Sequence, residues 1–176
     1  KDLYPNDTVI ICDAHKYLLE NFKDFDFIWS SPPCPTHSRL RTGLKEIVYP
    51  EMSLYQEIIL LQNWFDGKWI VENVIPYYDT LIKPNFEIDR HFIWCNFHIP
   101  NKDFNTNWVT GKVKDEKNLL EQRFGFDLSK YNGFDKRKAL RNCVVPEMGL
   151  HIINAAFKNV RQITPSVSKP LLFDFA

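Results

Sequence analysis

The stretch Phe27-Ile28-Trp29-Ser30-Ser31-Pro32-Pro33-Cys34-Pro35-Thr36-His37-Ser38 decides how this chain is read. It is an apolar run that stops at two prolines and a cysteine. Proline fixes φ and has no N–H, so neither Pro32 nor Pro33 extends a central sheet. A strand ends there, and Cys34 falls on a loop at its carboxyl end, the edge where open α/β sheets bind ligands. Cys12 and Cys95 sit within apolar runs, as structural cysteines do. Cys34 is instead followed by Thr36, His37, Ser38, Arg39 and Arg41. Rim thiols near cations have lowered pKa values, so Cys34 reads as a chemical cysteine.

Outward from this stretch, strands alternate with helices. Thr8–Cys12 reads as a strand and Ala14–Phe22 as a helix, followed by a strand over Phe25–Trp29. Met52–Phe65 spaces Leu54, Ile58, Leu61 and Phe65 as one helical face, closed by Asp66-Gly67. Trp69–Val71 is a third strand, leading into Glu72-Asn73-Val74, and His91–Ile99 a fourth. Glu116–Phe124 and Val144–Phe157, entered through Pro146, read as helices. Thr36–Pro50 reads as a polar, basic loop. Such alternation predicts an α/β fold with a mostly parallel sheet joined by right-handed crossovers. If the strands at Phe25 and Trp69 are parallel neighbours, about 4.8 Å apart, Cys34 and Glu72 face one small cavity.

Composition narrows the classes. With 44% hydrophobic and 15% aromatic residues, the 176-residue chain is not of the disordered kind. Its formal net charge of zero excludes a generally basic coat, leaving room only for a local basic patch. Four cysteines with no Cys-x-x-Cys pair suit a reducing cytoplasm and argue against structural zinc. The histidines show no metal-ligand spacing. No run approaches the roughly 18 apolar residues of a membrane span.

Pro33-Cys34 after one strand, Glu72-Asn73-Val74 after the next, and Arg141-Asn142-Cys143-Val144-Val145-Pro146 later resemble the cytosine-C5 methyltransferases. The resemblance covers roughly Thr8 to Phe157. It implies a Rossmann-like fold and S-adenosylmethionine as cofactor. It also implies methyl transfer to C5 of cytosine in double-stranded DNA, with RNA the target of one branch. By position, Cys34 is the nucleophile, Glu72 the acid at N3, and Arg90 the group holding the flipped base. Asp13, Pro33, Asn142, Cys143 and Val144 correspond to cofactor contacts.

The chain departs from that pattern in several places, among them a short region between Arg90 and Asn142 and no acidic residue for the ribose hydroxyls after the second strand. Pro35 follows the cysteine where the family has Gln, Phe92 stands where a second arginine is usual, and no Gly-x-Gly occurs anywhere. The glycine-rich motif and its strand, central in the family's sheet, are therefore expected to be missing at the amino-terminal side. That expectation carries poor S-adenosylmethionine binding with it. The expected layout is a partial catalytic core over residues 1–100 and a small target-recognition region over 101–141. A helix over 142–160 returns to the core, and 161–176 is a tail.

The chemistry is coherent without the family name. Cytosine C5 becomes nucleophilic when a thiolate adds to C6, and the charge developing at N3 calls for an acid, whose pKa burial would raise. A stacked base cannot reach such a site and must flip out. Ser38, Arg39, Arg41 and Lys45 are placed to grip phosphates, as are Lys136, Arg137 and Arg141 near the recognition region. His37 reads as polar packing or a phosphate contact. The segment Pro170-Leu171-Leu172-Phe173-Asp174-Phe175 resembles peptides that dock on sliding clamps. An alternative to the enzyme is a catalytically silent nucleic-acid-binding module that keeps the fold.

Overall fold

In the computed structural model of the chain, which describes residues 7–39, 48–88, 90–104 and 115–158, the apolar run at Phe27 becomes an edge strand. Asp13 prepares it from upstream. Its Oδ1 accepts the Lys16 N–H at 3.0 Å and caps α1 (Ala14–Asn21), satisfying one of the donors every helix start leaves open. A 3₁₀ turn, Phe22–Asp24, then delivers the chain to β1 (Phe27–Ser30). The helix α2 (Ser53–Trp64) follows, then β2 (Lys68–Val74), β3 (Phe86–Ile88) and β4 (His91–Cys95).

The result is an α/β unit with a four-stranded mixed sheet of order β1-β2-β4-β3. Only β1 and β2 pair in parallel; β2–β4 and β3–β4 are antiparallel. The expectation of a mostly parallel sheet is therefore corrected. The two residues between β3 and β4 are too few for the crossover that parallel strands need, so these strands form a hairpin, and β4 joins β2 by long-range pairing.

Thr8–Cys12 forms no strand. Val9 and Ile10 are about half exposed, Ile11 is 97% exposed, and Cys12 is exposed. β-Branched residues favour strands only where a neighbouring ladder and a buried face accept them. Among the described residues nothing pairs with the outer edge of β1, and this segment joins no ladder.

Ile28, Trp69, Val71 and Trp94 project to one face and close on Leu54, Ile58 and Leu61 of α2, all nearly inaccessible. Period-two alternation sends Ser31 and Glu72 to the opposite face. The fourth strand ends at Cys95 rather than Ile99. There Asn96 takes over the hydrogen bonding, with Oδ1 accepting from Trp69 N–H and Nδ2 donating to the Gly67 carbonyl. Phe97 and Ile99 remain buried beyond it.

The described residues from His98 onward form a second compact unit. It contains α3 (Glu116–Phe124), α4 (Lys136–Arg141) and α5 (Pro146–Phe157). Gly125 ends α3 at φ 69°, a left-handed conformation that glycine reaches without penalty. The short α4 was not expected; Asp135 caps it by accepting the Lys138 N–H. Pro146 opens α5 where its missing N–H costs nothing. No helix of the described residues is long and apolar enough to cross a membrane.

Candidate active site

Parallel pairing of β1 with β2 brings their carboxyl ends side by side. Ser30 pairs with Val71, so Ser31 and Glu72 are the next residues out, on the same face. The Ser31 hydroxyl donates to Glu72 Oε1 at 3.0 Å. One residue further, Asn73 Nδ2 donates to the Pro32 carbonyl at 3.0 Å, and Asn73 Oδ1 accepts the Val74 N–H. Asn73 is 3% exposed, so these bonds are made in the interior. The loop carrying Cys34 is thus fastened to the end of β2 through two adjacent residues. Burial pushes the Glu72 carboxyl above the ordinary carboxylate range; the Ser31 hydrogen bond opposes this more weakly.

Cys34 is half-buried and opens a tight turn in which its carbonyl accepts the N–H groups of His37 and Ser38, at 3.0 and 3.1 Å. The turn is tied down on every side. Thr36 Oγ1 accepts the Glu51 N–H ahead of α2. The His37 carbonyl accepts the Tyr77 N–H, Ser38 bridges Pro76, and Arg39 Nε donates to the Pro76 carbonyl. The part of the expected loop that is described, residues 36–39 and 48–50, is therefore well bonded. Arg41 and Lys45 lie outside the described residues, as does the tail peptide at Pro170–Phe175.

Arg90 sits in the turn before β4, and its carbonyl accepts the Ile75 N–H at 3.1 Å. Its backbone thereby joins the same sheet edge as Glu72, just past the end of β2.

Asp13 and Pro33 line one groove with Tyr17, Phe25, Phe27 and Trp29, of about 640 Å³. It runs along β1 on the side that no strand covers, between α1 and α2. Its polar lining includes a connected cluster that sequence reading missed. Glu57, on α2 and 4% exposed, accepts from the Ser30 hydroxyl and faces His15 Nδ1 at 2.9 Å. His15 Nε2 meets Gln56 Oε1 at 3.1 Å. Glu57 stands one residue beyond the polar Gln56 on a helix read only for its apolar face, which is why periodicity did not find it. Neither Cys34 nor Glu72 lines this groove.

Asn142, Cys143 and Val144, expected with Asp13 and Pro33 at the cofactor, belong to the second unit. There Asn142 caps the end of α4, and the Cys143 thiol donates to the Ala139 carbonyl while burial raises its pKa. Val144 packs near Gly149. Lys136 and Arg137 occupy the first turn of α4. Arg141 is engaged elsewhere than expected. Its Nε and a terminal nitrogen donate to both oxygens of Glu116, at 2.8 and 2.7 Å, and Glu116 is 4% exposed. Among the described residues no cluster of histidine, cysteine and carboxylate suits a metal ion.

No family model matches the chain, and neither do any curated protein or solved structure.

Proposed function

We propose that this chain carries the catalytic thiol and acid of an S-adenosylmethionine-dependent cytosine-C5 methyltransferase acting on DNA. The observation that carries the reading is the shared edge of β1 and β2. There a half-buried carboxyl of raised pKa, Glu72, is joined through Ser31 to the loop that presents Cys34.

Each residue then has a task its surroundings suit. The Cys34 thiolate adds to C6 of a flipped cytosine, and the ring's electron pair shifts toward C5 and N3. Glu72, whose pKa burial raises, donates a hydrogen bond or proton at N3 as that charge develops. Arg90, at the same edge, orients the base carbonyl by charge-assisted hydrogen bonds. After methylation a base takes the C5 proton, the C5–C6 double bond reforms, and Cys34 leaves as thiolate.

The groove beside β1 suits the cofactor in size and donor set. Aromatic walls take an adenine ring, and the Asp13 and Glu51 carboxylates take hydroxyl, amino and cationic groups. S-adenosylmethionine supplies the methyl group when bound; Asp13 and Pro33 would hold it on this side. No glycine lines the groove, so close backbone approach of the kind a Gly-x-Gly turn permits is not provided there.

The test needs no methyl donor. Thiolate addition to C6 makes the C5 hydrogen exchangeable with water, so the chain should release tritium from DNA labelled at cytosine C5. Cys34→Ser should abolish release. A wild-type chain that binds DNA and releases none points instead to a silent binding module. Release that persists in the serine variant removes Cys34 from the mechanism.

A further inference from the structure

His37 is 1% exposed. The Tyr55 hydroxyl accepts the Leu81 N–H at 3.3 Å and shares a hydrogen bond with the Tyr78 hydroxyl at 3.2 Å. The Tyr78 hydroxyl in turn hydrogen-bonds His37 Nδ1, 2.5 Å away. The other ring nitrogen, Nε2, is buried with no hydrogen-bond partner among the described residues. The ring also packs against Tyr78, with centroids 5.9 Å apart.

We infer that His37 is a positioning residue for Cys34: as a neutral ring it latches the Cys34–Ser38 turn onto Tyr78, and protonation of the ring releases the turn. The turn offers a direct mechanical path, since the His37 N–H bonds the Cys34 carbonyl and the His37 carbonyl takes the Tyr77 N–H. Protonation puts a proton on both ring nitrogens, so it would bury a cation whose Nε2–H has no acceptor among the described residues. Burial accordingly holds the His37 pKa below its usual value, and the Glu51 carboxylate opposes this more weakly. The other titratable groups facing the ring are the phenols of Tyr78, Tyr55 and Tyr77, and burial raises the Tyr78 pKa. Relief comes when the ring moves into water, and the turn goes with it.

The inference uses Cys34 as the reactive thiol of the proposed reaction, but its test does not depend on methyl transfer. The chain carries its own references: Cys12 is exposed and Cys95 is buried. Wild-type protein is labelled at a series of pH values with a disulfide reagent that reacts in mild acid, and each cysteine is quantified by mass spectrometry. The expected result is a Cys34-to-Cys12 labelling ratio that rises about threefold or more as pH falls from about 7 to 5, as a two-state release requires. The midpoint should lie below the ordinary histidine value of 6.5. His37→Gln keeps an acceptor for Tyr78 but cannot be protonated, and should give a flat ratio; so should His37→Phe where circular dichroism shows it folded. A flat wild-type ratio overturns the inference. So does a rise that survives in His37→Gln, or one accompanied by labelling of Cys95, which marks global unfolding. Loss of tritium exchange would sink the methyltransferase reading and leave this latch standing.

Discussion

Ser31 Oγ lies 3.0 Å from Glu72 Oε1, joining the residue after β1 to the third residue from the end of β2 at the carboxyl edge of the sheet. This one contact ties the proline loop's approach to the candidate acid, and it lowers a carboxyl pKa that burial raises. Removing the hydroxyl should therefore raise the Glu72 pKa further. If protonated Glu72 is required, tritium exchange falls as pH climbs through that pKa, and Ser31→Ala should move the falling limb to higher pH. A limb that stays in place would show that Glu72 does not set it.

Glu72→Gln should reduce exchange by about 100-fold or more, the usual worth of a positioned acid. Its effect on stability has the opposite sign. A carboxyl with a raised folded pKa contributes stability below the unfolded value, near 4.5, and loses it as pH rises through the folded pKa. The glutamine variant escapes that loss. Urea denaturation should find it no less stable than wild type at pH 4, and relatively more stable at pH 7.

Asn73→Ala should cost about 1–3 kcal/mol, because it strands the buried Pro32 carbonyl as well as losing the Val74 N–H contact. The midpoint of urea denaturation reads this directly. A loss below about 0.5 kcal/mol would mean that water or a shifted loop satisfies the carbonyl.

Gly67 leaves no room for a side chain. A Cβ there would stand 2.4 Å from the Phe65 ring and 2.5 Å from the Asp26 carbonyl, which itself accepts the Lys68 N–H that starts β2. Gly67→Ala should destabilise by roughly 1–3 kcal/mol through overpacking. Wild-type stability in that variant would show that the α2–β2 turn yields easily.

Arg141 separates a structural role from a nucleic-acid contact. Its bidentate pair neutralises the buried Glu116, so Arg141→Ala should lower stability by about 1.5–3 kcal/mol, the range for hydrogen bonds to charged groups. DNA affinity at fixed salt should change little once folded protein is compared. Undiminished stability with weakened, less salt-dependent DNA binding would assign Arg141 to phosphate instead.

Much of the first unit was legible because its signals are local. The prolines at 32 and 33 had to end a strand, and the helical spacing of Leu54, Ile58 and Leu61 had to face a core; the helix stops at Trp64 with an extended Phe65 cap, and Gly67 is not the left-handed stop that Asp66-Gly67 suggested. β1, α2 and β2 followed within a few residues of where those rules put them. The juxtaposition of Ser31 with Glu72 then required only parallel pairing of two consecutive strands. Outcomes that depend on a neighbour were not legible. Thr8–Cys12 has every intrinsic preference for a strand, yet strand structure needs a pairing partner, and this segment pairs with none among the described residues. The antiparallel return of β4 between β2 and β3 was decided by which strands pair, a long-range matter invisible to periodicity. His37 and Glu57 show the same limit in the site itself. In sequence they are a loop histidine and a glutamate on a helix. Tertiary contact with Tyr78 and with Ser30 and His15, 41, 27 and 42 residues away, buried both and gave each its hydrogen-bond partners. Desolvation and hydrogen bonding between distant residues exist only once the chain is folded, so the sequence determined which groups were present and the packing decided what those groups can do.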